Sequence, residues 1–369
     1  MTSVTVLYIV GRVAPTSVPL EVAQFIQNPR IQLHAAAFYE TDYTGGQLDV
    51  SPTRIDAKGR YDVSAVYRLY RYIEHVQPDV LHVHHTMPAF WGALLGKKIA
   101  GTRLVRSEHN NYESRSAGQR MIDAISQGFA NLILCNSRNT CRSLKSWPAN
   151  LFETQRRVVH NGVDVQRIAQ AASDVPPFDE WHKGVTIGSV GRLIGQKNYL
   201  RLVRAFAQIT DRSQKDIRLV LIGEGSRREI IETEVDRLGL DGRVVFTGEV
   251  DRDAVYAALH AFDLFVIPSL SEGFCNAAVE AMAAGLPMLC SDLRVLHEVV
   301  GDVGTYMDPE DTANMANALL SVIQEGPKGW ERQGTAARKR AMEGFTVQRT
   351  AEKYVQSYLE VVKQDALRT

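Results

Sequence analysis

Residues Asp263–Asp292 read DLFVIPSLSEGFCNAAVEAMAAGLPMLCSD. DLFVIPS is a short apolar run closed by Pro268 and Ser269, which reads as a buried strand. LSEGFCN reads as a loop in which Gly273 permits a tight backbone path, and Asn276 as the N-cap of a helix running to Gly285. Ala277, Ala278, Ala281, Ala283 and Ala284 keep that helix slim enough to pack closely on a sheet, and PMLCSD resumes as a strand. Strand, helix and strand in this order predict a parallel sheet covered by helices. The same order places free N–H groups of a helix start at the carboxyl edge of the sheet, where an anion binds readily.

Working outward, VTIGSVG, IRLVLIG and RVVFTG are further strands of this half, separated by the helical patterns NYLRLVRAFAQI, RREIIETEVDRLG and DAVYAALHAF. Towards the N-terminus the alternation repeats, with strands VTVLYIV, DVLHVHH, RLVRSEH and LILCNS and amphipathic helices SAVYRLYRYIEHV and QRMIDAISQGFA. The fold class expected is therefore α/β, with two Rossmann-like, doubly wound domains facing each other across a cleft. Ala171–Gly184, AASDVPPFDEWHKG, carries Pro176-Pro177 and reads as the linker. The expected domains are residues 1–178, residues 179–345, and a last helical segment, 346–369, that packs on either domain.

Composition agrees with two soluble domains: 369 residues, 45% hydrophobic and 23% charged. Net charge is zero, yet residues 1–178 hold 19 basic against 14 acidic residues and the remainder 23 against 28. The N-terminal half is the one suited to an anionic surface or ligand, and ordinary solvated charge gives the same count. Cys135, Cys141, Cys275 and Cys290 have no metal-ligand or disulfide spacing, which fits a reducing compartment. The start MTSVTVLYIVGR lacks a basic n-region and reads as a buried strand, and no run approaches the ~18 apolar residues of a membrane span. A cytoplasmic protein is expected. Neither half shows a basic stripe with interleaved aromatics, so nucleic acid is not an expected partner.

Several residues converge on the strand ends. Glu272 in the loop and Glu280 inside the helix can accept hydrogen bonds from hydroxyls, which suggests a sugar and a ribose; a helix-start charge and a surface glutamate would look the same. Arg192 and Lys197, in GSVGRLIGQKN, carry the charge needed to stabilise a departing diphosphate. Gly223 and Gly225 in LIGEGSRRE allow a ligand near the backbone, and Gly11 ends the first strand. His109, in VRSEHNN, is placed to contact a transferring sugar or to sit as a hydrogen-bonded strand-end histidine. In HVHH, strand alternation puts His82 and His84 on one face and His85 on the other without a third ligand, which argues against a metal. Asp251-Arg252-Asp253 precedes a helical pattern and is read as capping.

Together HNGVD, GRLIGQKN, GEG and PSLSEGFCNAAVEAMAAGLPMLCSD resemble, in fixed order over most of the chain, the retaining glycosyltransferases of family 4 with the GT-B fold. The resemblance implies a nucleoside diphosphate sugar held mainly by the second domain and a glycan or lipid-linked acceptor held mainly by the first. By position, Arg192 and Lys197 match the pair on the donor diphosphate, Glu280 the ribose-binding glutamate, and Glu272 the one beside the transferred sugar. The backbone of Gly273, Phe274, Cys275 and Asn276 matches the segment holding sugar and phosphate, while His109 and Gly11 match the first-domain histidine and loop glycine. No metal or other cofactor is implied. GRVAPTSVP lacks a Gly-Gly pair and carries Pro15 and Pro19, and GFCN replaces the commoner GFG. The expected function is transfer of a hexose-type sugar in polysaccharide or glycolipid assembly. Lys97, Lys98, Arg103, Arg106, Arg115 and Arg120 suggest a peripheral position on an anionic membrane. The competing readings are an inactive nucleotide-sugar-binding regulator of the same fold and a glycan phosphorylase, for which no pyridoxal-lysine context is seen.

Overall fold

The computed structural model describes residues 3–13, 17–40, 52–99, 101–112, 115–146, 148, 151, 154–177 and 184–366. The chain forms two compact units, residues 1–162 with 347–369, and residues 163–346. The expected boundary at Phe178/Asp179 and Pro15 of the first loop lie outside the described residues. The units divide earlier, at Gly162/Val163, because residues 165–173 already pack on helices of the second unit.

Among the described residues the first unit holds seven strands, β1 (Val4–Val10), β2 (Ile31–Tyr39), β3 (Thr53–Ala57), β4 (Val80–His84), β5 (Arg103–Glu108), β6 (Leu132–Cys135) and β7 (Arg156–Val158). Their order is β3-β2-β1-β4-β5-β6-β7, and every pair is parallel. The helices between them are α1 (Val18–Gln24), α2 (Val63–Val76), α3 (Thr86–Gly96), α4 (Ala117–Gly128) and α5 (Arg138–Ser143). Strand order reverses between β1 and β4, so the loops after these two strands part at a topological switch point.

The second unit repeats the plan with β8 (Val185–Val190), β9 (Ile217–Ile222), β10 (Val244–Gly248), β11 (Leu264–Ile267), β12 (Met288–Ser291) and β13 (Gly304–Met307), ordered β10-β9-β8-β11-β12-β13. Its helices are α6 (Val165–Gln170), α7 (Tyr199–Thr210), α8 (Arg228–Arg237), α9 (Arg252–His260), α10 (Asn276–Ala284), α11 (Arg294–Val299) and α12 (Thr312–Gly344). α12 is interrupted at Gly326, whose φ of 67° is followed by Pro327, a residue that cannot continue the helical ladder. Here the switch point lies between β8 and β11. Each sheet has a hydrophobic layer on both faces, as a doubly wound unit requires.

The final helix, α13 (Val347–Ala366), belongs to the first unit. Its Tyr354 and Tyr358 are buried against β1 and β4, and Tyr358 Oη shares hydrogen bonds with His82 Nδ1 (2.7 Å) and Tyr8 Oη (2.9 Å). His82 Nε2 meets Ser107 Oγ at 2.8 Å, so both ring nitrogens are satisfied inside the core.

Two local expectations are corrected. The N-cap of α10 is Cys275, in a left-handed conformation (φ 76°), and Asn276 is the first helical residue. The loop turns into the helix through a positive φ, so a side-chain cap at Asn276 is not the device used. Likewise β4 ends at His84, and His85, with φ 66° and ψ 157°, is the N-cap of α3. Strand alternation therefore does not govern His85.

Candidate active site

In the second unit the loops after β8 and β11 are joined at the switch point. Leu270 N–H donates to Gln196 O (2.8 Å), and Gln196 Nε2 donates to Ser271 O (2.7 Å). Asn198, at φ 58°, starts α7, and its Nδ2 donates to the carbonyls of Pro268 (3.0 Å) and Pro309 (2.8 Å). One asparagine thus ties together the ends of β8, β11 and β13. Such cross-linking holds polar side chains in place before a ligand arrives.

Within this frame Lys197 Nζ donates to Glu272 Oε1 at 2.7 Å, and Ser269 Oγ donates to the same oxygen at 2.7 Å. Burial disfavours the Lys197 ammonium, but Cys275 and the Glu272 carboxylate outweigh it, and the pKa stands above the ordinary lysine range. The Cys275 thiol is pushed up to about 12, first by burial and then by Glu272. Lys197 is therefore a fixed cation beside a protonated thiol. An ammonium has three donors, and Glu272 engages one of them.

Arg192, the second residue after β8, is exposed, and its guanidinium makes no hydrogen bond or ion pair among the described residues. It is free to reorient. Gly273 continues the β11–α10 loop, and the Phe274 ring turns into the core, 5.9 Å from the Phe345 ring, so only its backbone can serve a ligand. Glu280 is buried on α10, and Arg252 Nη2 donates to its Oε1 at 3.1 Å. Arg252 is a partner that sequence reasoning missed; it lay in the Asp-x-Asp string between two aspartates that drew attention first.

Gly223 and Gly225 have another employment. A Cβ at Gly223 would lie 2.3 Å from Gly191 O, and one at Gly225 would lie 2.4 Å from Leu193 O. What approaches these glycines is the protein's own 191–193 backbone, so they support the loop bearing Arg192 and Lys197. Asp251 accepts from Ala254 N–H (2.8 Å) as the cap of α9, and Asp253 pairs with Arg167 at 2.6 Å.

In the first unit, Gly11 and His109 also lie at the carboxyl edge of the sheet. Gly11 N–H donates to His85 Nδ1 at 3.1 Å, across the β1/β4 switch point. This fixes the His85 tautomer with its proton on Nε2, because Nδ1 is the acceptor. His85 is exposed and sits in a backbone region that side-chain-bearing residues rarely occupy, a strain that costs on the order of 1–3 kcal/mol. His109 Nε2 shares a hydrogen bond with His84 Nδ1 at 3.0 Å. Burial, with His85 next in weight, pushes the His109 imidazolium down to about 3, so the ring is neutral near pH 7. Sequence reasoning found His109 and missed His85, whose signal was the third histidine of HVHH falling just past the strand.

Below these histidines lies a buried ionic cluster. Arg106 contacts Glu108 (2.6 Å), Asp123 and Ser126, while Arg115 contacts Glu108 (2.5 Å) and Asp123. Burial opposes the Glu108 charge, but Arg106 and Arg115 hold its pKa down at about 2. Two arginines against two carboxylates leave a neutral, mutually satisfied set. This removes Arg106 and Arg115 from the proposed membrane-facing charge: the Arg106 side chain is 1% exposed, and Arg115 is spent on the same carboxylates.

Two units of this topology, with polar loops at the switch point of each, define the GT-B class of α/β enzymes. The family profile described as Glycosyl transferases group 1 matches residues 177–340, and that described as Glycosyltransferase Family 4 matches residues 27–167. An uncharacterized glycosyltransferase of Methanocaldococcus jannaschii is 30% identical over 267 residues, 67% of this chain and 66% of that one, just under two thirds of its length. A phosphatidyl-myo-inositol mannosyltransferase of Mycolicibacterium smegmatis is 26% identical over 276 residues, 73% of this chain and 68% of that one. An Anabaena protein solved in complex with UDP and glucose superposes with a TM-score of 0.79 at 19% identity, covering 97% of this chain and 100% of that one. The chain belongs to the family 4 glycosyltransferases.

Proposed function

We propose that the protein transfers a hexose-type sugar, with retention of anomeric configuration, from a nucleoside diphosphate sugar to a glycan or lipid-linked acceptor in polysaccharide or glycolipid assembly. The observation that carries this reading is the Lys197–Glu272 pair just before α10, held by Ser269 and by the Asn198 cross-link at the start of α7. A diphosphate at the start of α10 would meet backbone N–H groups, the two remaining donors of Lys197, and the exposed guanidinium of Arg192. Glu272 keeps Lys197 charged and aimed; Glu280, braced by Arg252, accepts from ribose hydroxyls.

In the reaction the bond from the anomeric carbon to the leaving phosphate oxygen breaks, and a bond to the acceptor oxygen forms on the same face. The acceptor proton passes to the departing phosphate oxygen, so no protein nucleophile is needed. Lys197 and Arg192 then act by stabilising charge that grows on the leaving group. His109, neutral, and His85, with Nε2–H presented at the edge of the first sheet, are suited to hydrogen bonding sugar hydroxyls rather than to moving charge. The proposal requires no metal: both carboxylates of the Asp251–Asp253 string already have partners. The bound UDP and glucose of the Anabaena structure and the lipid substrate in the mycobacterial relative's name favour this donor and acceptor chemistry. A cytoplasmic site at the inner face of a membrane fits the reading, and no helix among the described residues is long and apolar enough to cross one.

The test is release of free nucleoside diphosphate from a panel of uridine, guanosine and adenosine diphosphate sugars, with Lys197→Ala as control. Release from one donor, lost in the variant, supports the reading. Silence together with no nucleotide binding overturns it.

A further inference from the structure

The first unit carries an apolar surface that its core does not use. Tyr61, Val63 and Tyr67 are 67%, 80% and 62% exposed, and all three stand at the start of α2. Val63 and Tyr67 are one turn apart on the same helix face, with Tyr61 just outside the helix. The remaining face of α2 is accounted for by Ala65, Leu69 and Ile73, which enter the core.

Around this group, residues 54–74 carry five basic side chains against three carboxylates, so the local charge is positive. Asp62, between Tyr61 and Val63, caps α2 as an ionised carboxylate: its Oδ1 accepts from Ala65 N–H (3.0 Å) and its Oδ2 from Lys58 N–H (3.1 Å). Glu74 is engaged by Arg71 at 3.0 Å, and Asp56 by Arg54 at 3.3 Å. The side chains of Lys58 and Arg60 are exposed and make no hydrogen bond or ion pair among the described residues. Two unpaired cations therefore flank three exposed apolar side chains. Tyrosines and a valine at the depth of lipid headgroups, with lysine and arginine at the phosphates, are the elements of an interfacial docking site.

Position adds a second argument. A helix that follows a strand of a parallel sheet starts at the carboxyl edge, so Tyr61 and Val63 share the edge occupied by Gly11, His85 and His109. β3 stands two places from β1 in the sheet, about 10 Å at ordinary strand spacing. The link to the histidines is physical as well: Trp91 on α3, the helix that His85 caps, donates its indole N–H to Arg60 O at 2.9 Å.

We infer that the Tyr61–Val63–Tyr67 face, with Lys58 and Arg60, docks the first unit on an anionic lipid bilayer. This inference rests on the lipid-linked acceptor reading above and specifies the surface that would serve it. An amphiphilic acceptor could then keep its chain in the bilayer while its head reaches the sheet edge.

The test is co-sedimentation of the full chain with vesicles of phosphatidylcholine alone or mixed with phosphatidylglycerol, at low and high salt. Wild type is expected to sediment with the anionic vesicles at low salt and to be released by salt. The Val63→Ser/Tyr67→Ser variant is expected to bind at least about tenfold more weakly, and Lys58→Gln/Arg60→Gln to lose the preference for phosphatidylglycerol, roughly fivefold per charge. The changed side chains are exposed, so a far-UV spectrum and melting curve like those of wild type should accompany both. Anionic-vesicle binding that is absent in wild type, or unchanged in Val63→Ser/Tyr67→Ser, overturns the inference. So does a concentration-dependent dimer of wild type that this variant abolishes, which would make the face a self-association surface. Nucleotide affinity measured by calorimetry on the same samples separates the two readings: binding of nucleotide without vesicles overturns only the docking site, and vesicle binding without nucleotide overturns only the donor site.

Discussion

Replacing Lys197 by Met and Glu272 by Gln, singly and together, separates what the pair does for folding from what it does for turnover. Lys197→Met leaves the Glu272 carboxylate buried with Ser269 as the neighbour that the structure shows hydrogen-bonded to it. Stripping one partner from a fully buried pair costs about 3–5 kcal/mol; the Lys197 side chain is 17% exposed and that of Glu272 8%, so a discount for solvent gives about 2–3 kcal/mol. For a unit of this size that lowers the melting temperature by about 4–12 °C. Glu272→Gln should cost a similar amount by leaving a buried ammonium. The double variant removes both charges and should recover most of the lost stability, since a neutral pair of similar volume carries no stranded charge. Turnover should behave differently. Loss of a cation that stabilises a leaving group costs about 100- to 1000-fold in kcat, and the double variant should remain as slow as Lys197→Met. Thermal denaturation and nucleoside diphosphate release, measured on all four proteins, give both comparisons. Recovery of turnover along with stability in the double variant would refute the role given to Lys197, and so would near-wild-type turnover in Lys197→Met.

Three further outcomes follow from individual contacts. His82, His84 and His109 all have pKa values below the ordinary 6.5, with burial the leading cause in each and His109 at about 3; below 6.5 the unfolded chain binds protons that the folded chain does not. Stability should therefore fall as pH drops from about 6.5 towards the folded values, by up to about 1.4 kcal/mol per pH unit per histidine, and Glu108, held at about 2 against an ordinary 4.5, adds a slope of the same sign only below about pH 5. A urea midpoint that stays flat between about pH 7 and 5 contradicts this. Cys275→Gly should lie within about 1 kcal/mol of wild type, because relief of the positive φ offsets the lost thiol packing. Cys275→Val, β-branched at the same φ, should be worse by about 2 kcal/mol or more; equal denaturation midpoints for the two would count against strain at this position. Gly225→Ala should displace the 191–198 loop, whose Leu193 carbonyl would lie 2.4 Å from the new Cβ. A tenfold or greater loss of turnover is expected from such a displacement, and unchanged kinetics would show that the loop position is not needed.

Much of this molecule is legible in the order of its residues. Central strands such as VTVLYIV and IRLVLIG are buried on both faces, and continuous apolar runs bounded by glycine or polar residues announce them. β3, β7 and β13 escape the same reading because edge strands bury only part of their side chains; TRIDA and RRV look like solvent-exposed segments. β2 escapes for another reason: its Ala35–Ala37 run has little strand propensity and is held by β1 and its neighbours. α3 is apolar nearly all round, because it is buried, and so lacks the one-sided pattern that marks α2 and α4.

At the candidate site, the types and spacing of Arg192, Lys197, Glu272 and Glu280 follow from local chemistry at strand ends and a helix start, which sequence order expresses directly. Which of them pair is a property of the fold. Lys197 meets Glu272, 75 positions away, and Arg252 meets Glu280 because the strand order of the second sheet brings those loops together. The same holds for what became of the basic residues of the first half: Arg106 and Arg115 look like surface charge in a list, and tertiary packing consumes them in a closed ionic cluster with Glu108 and Asp123. Periodicity and residue chemistry are local and survive in a one-dimensional string. Long-range pairing, the backbone strain at His85 and Cys275, and the exposure of Tyr61, Val63 and Tyr67 arise only when distant segments compete for the same space.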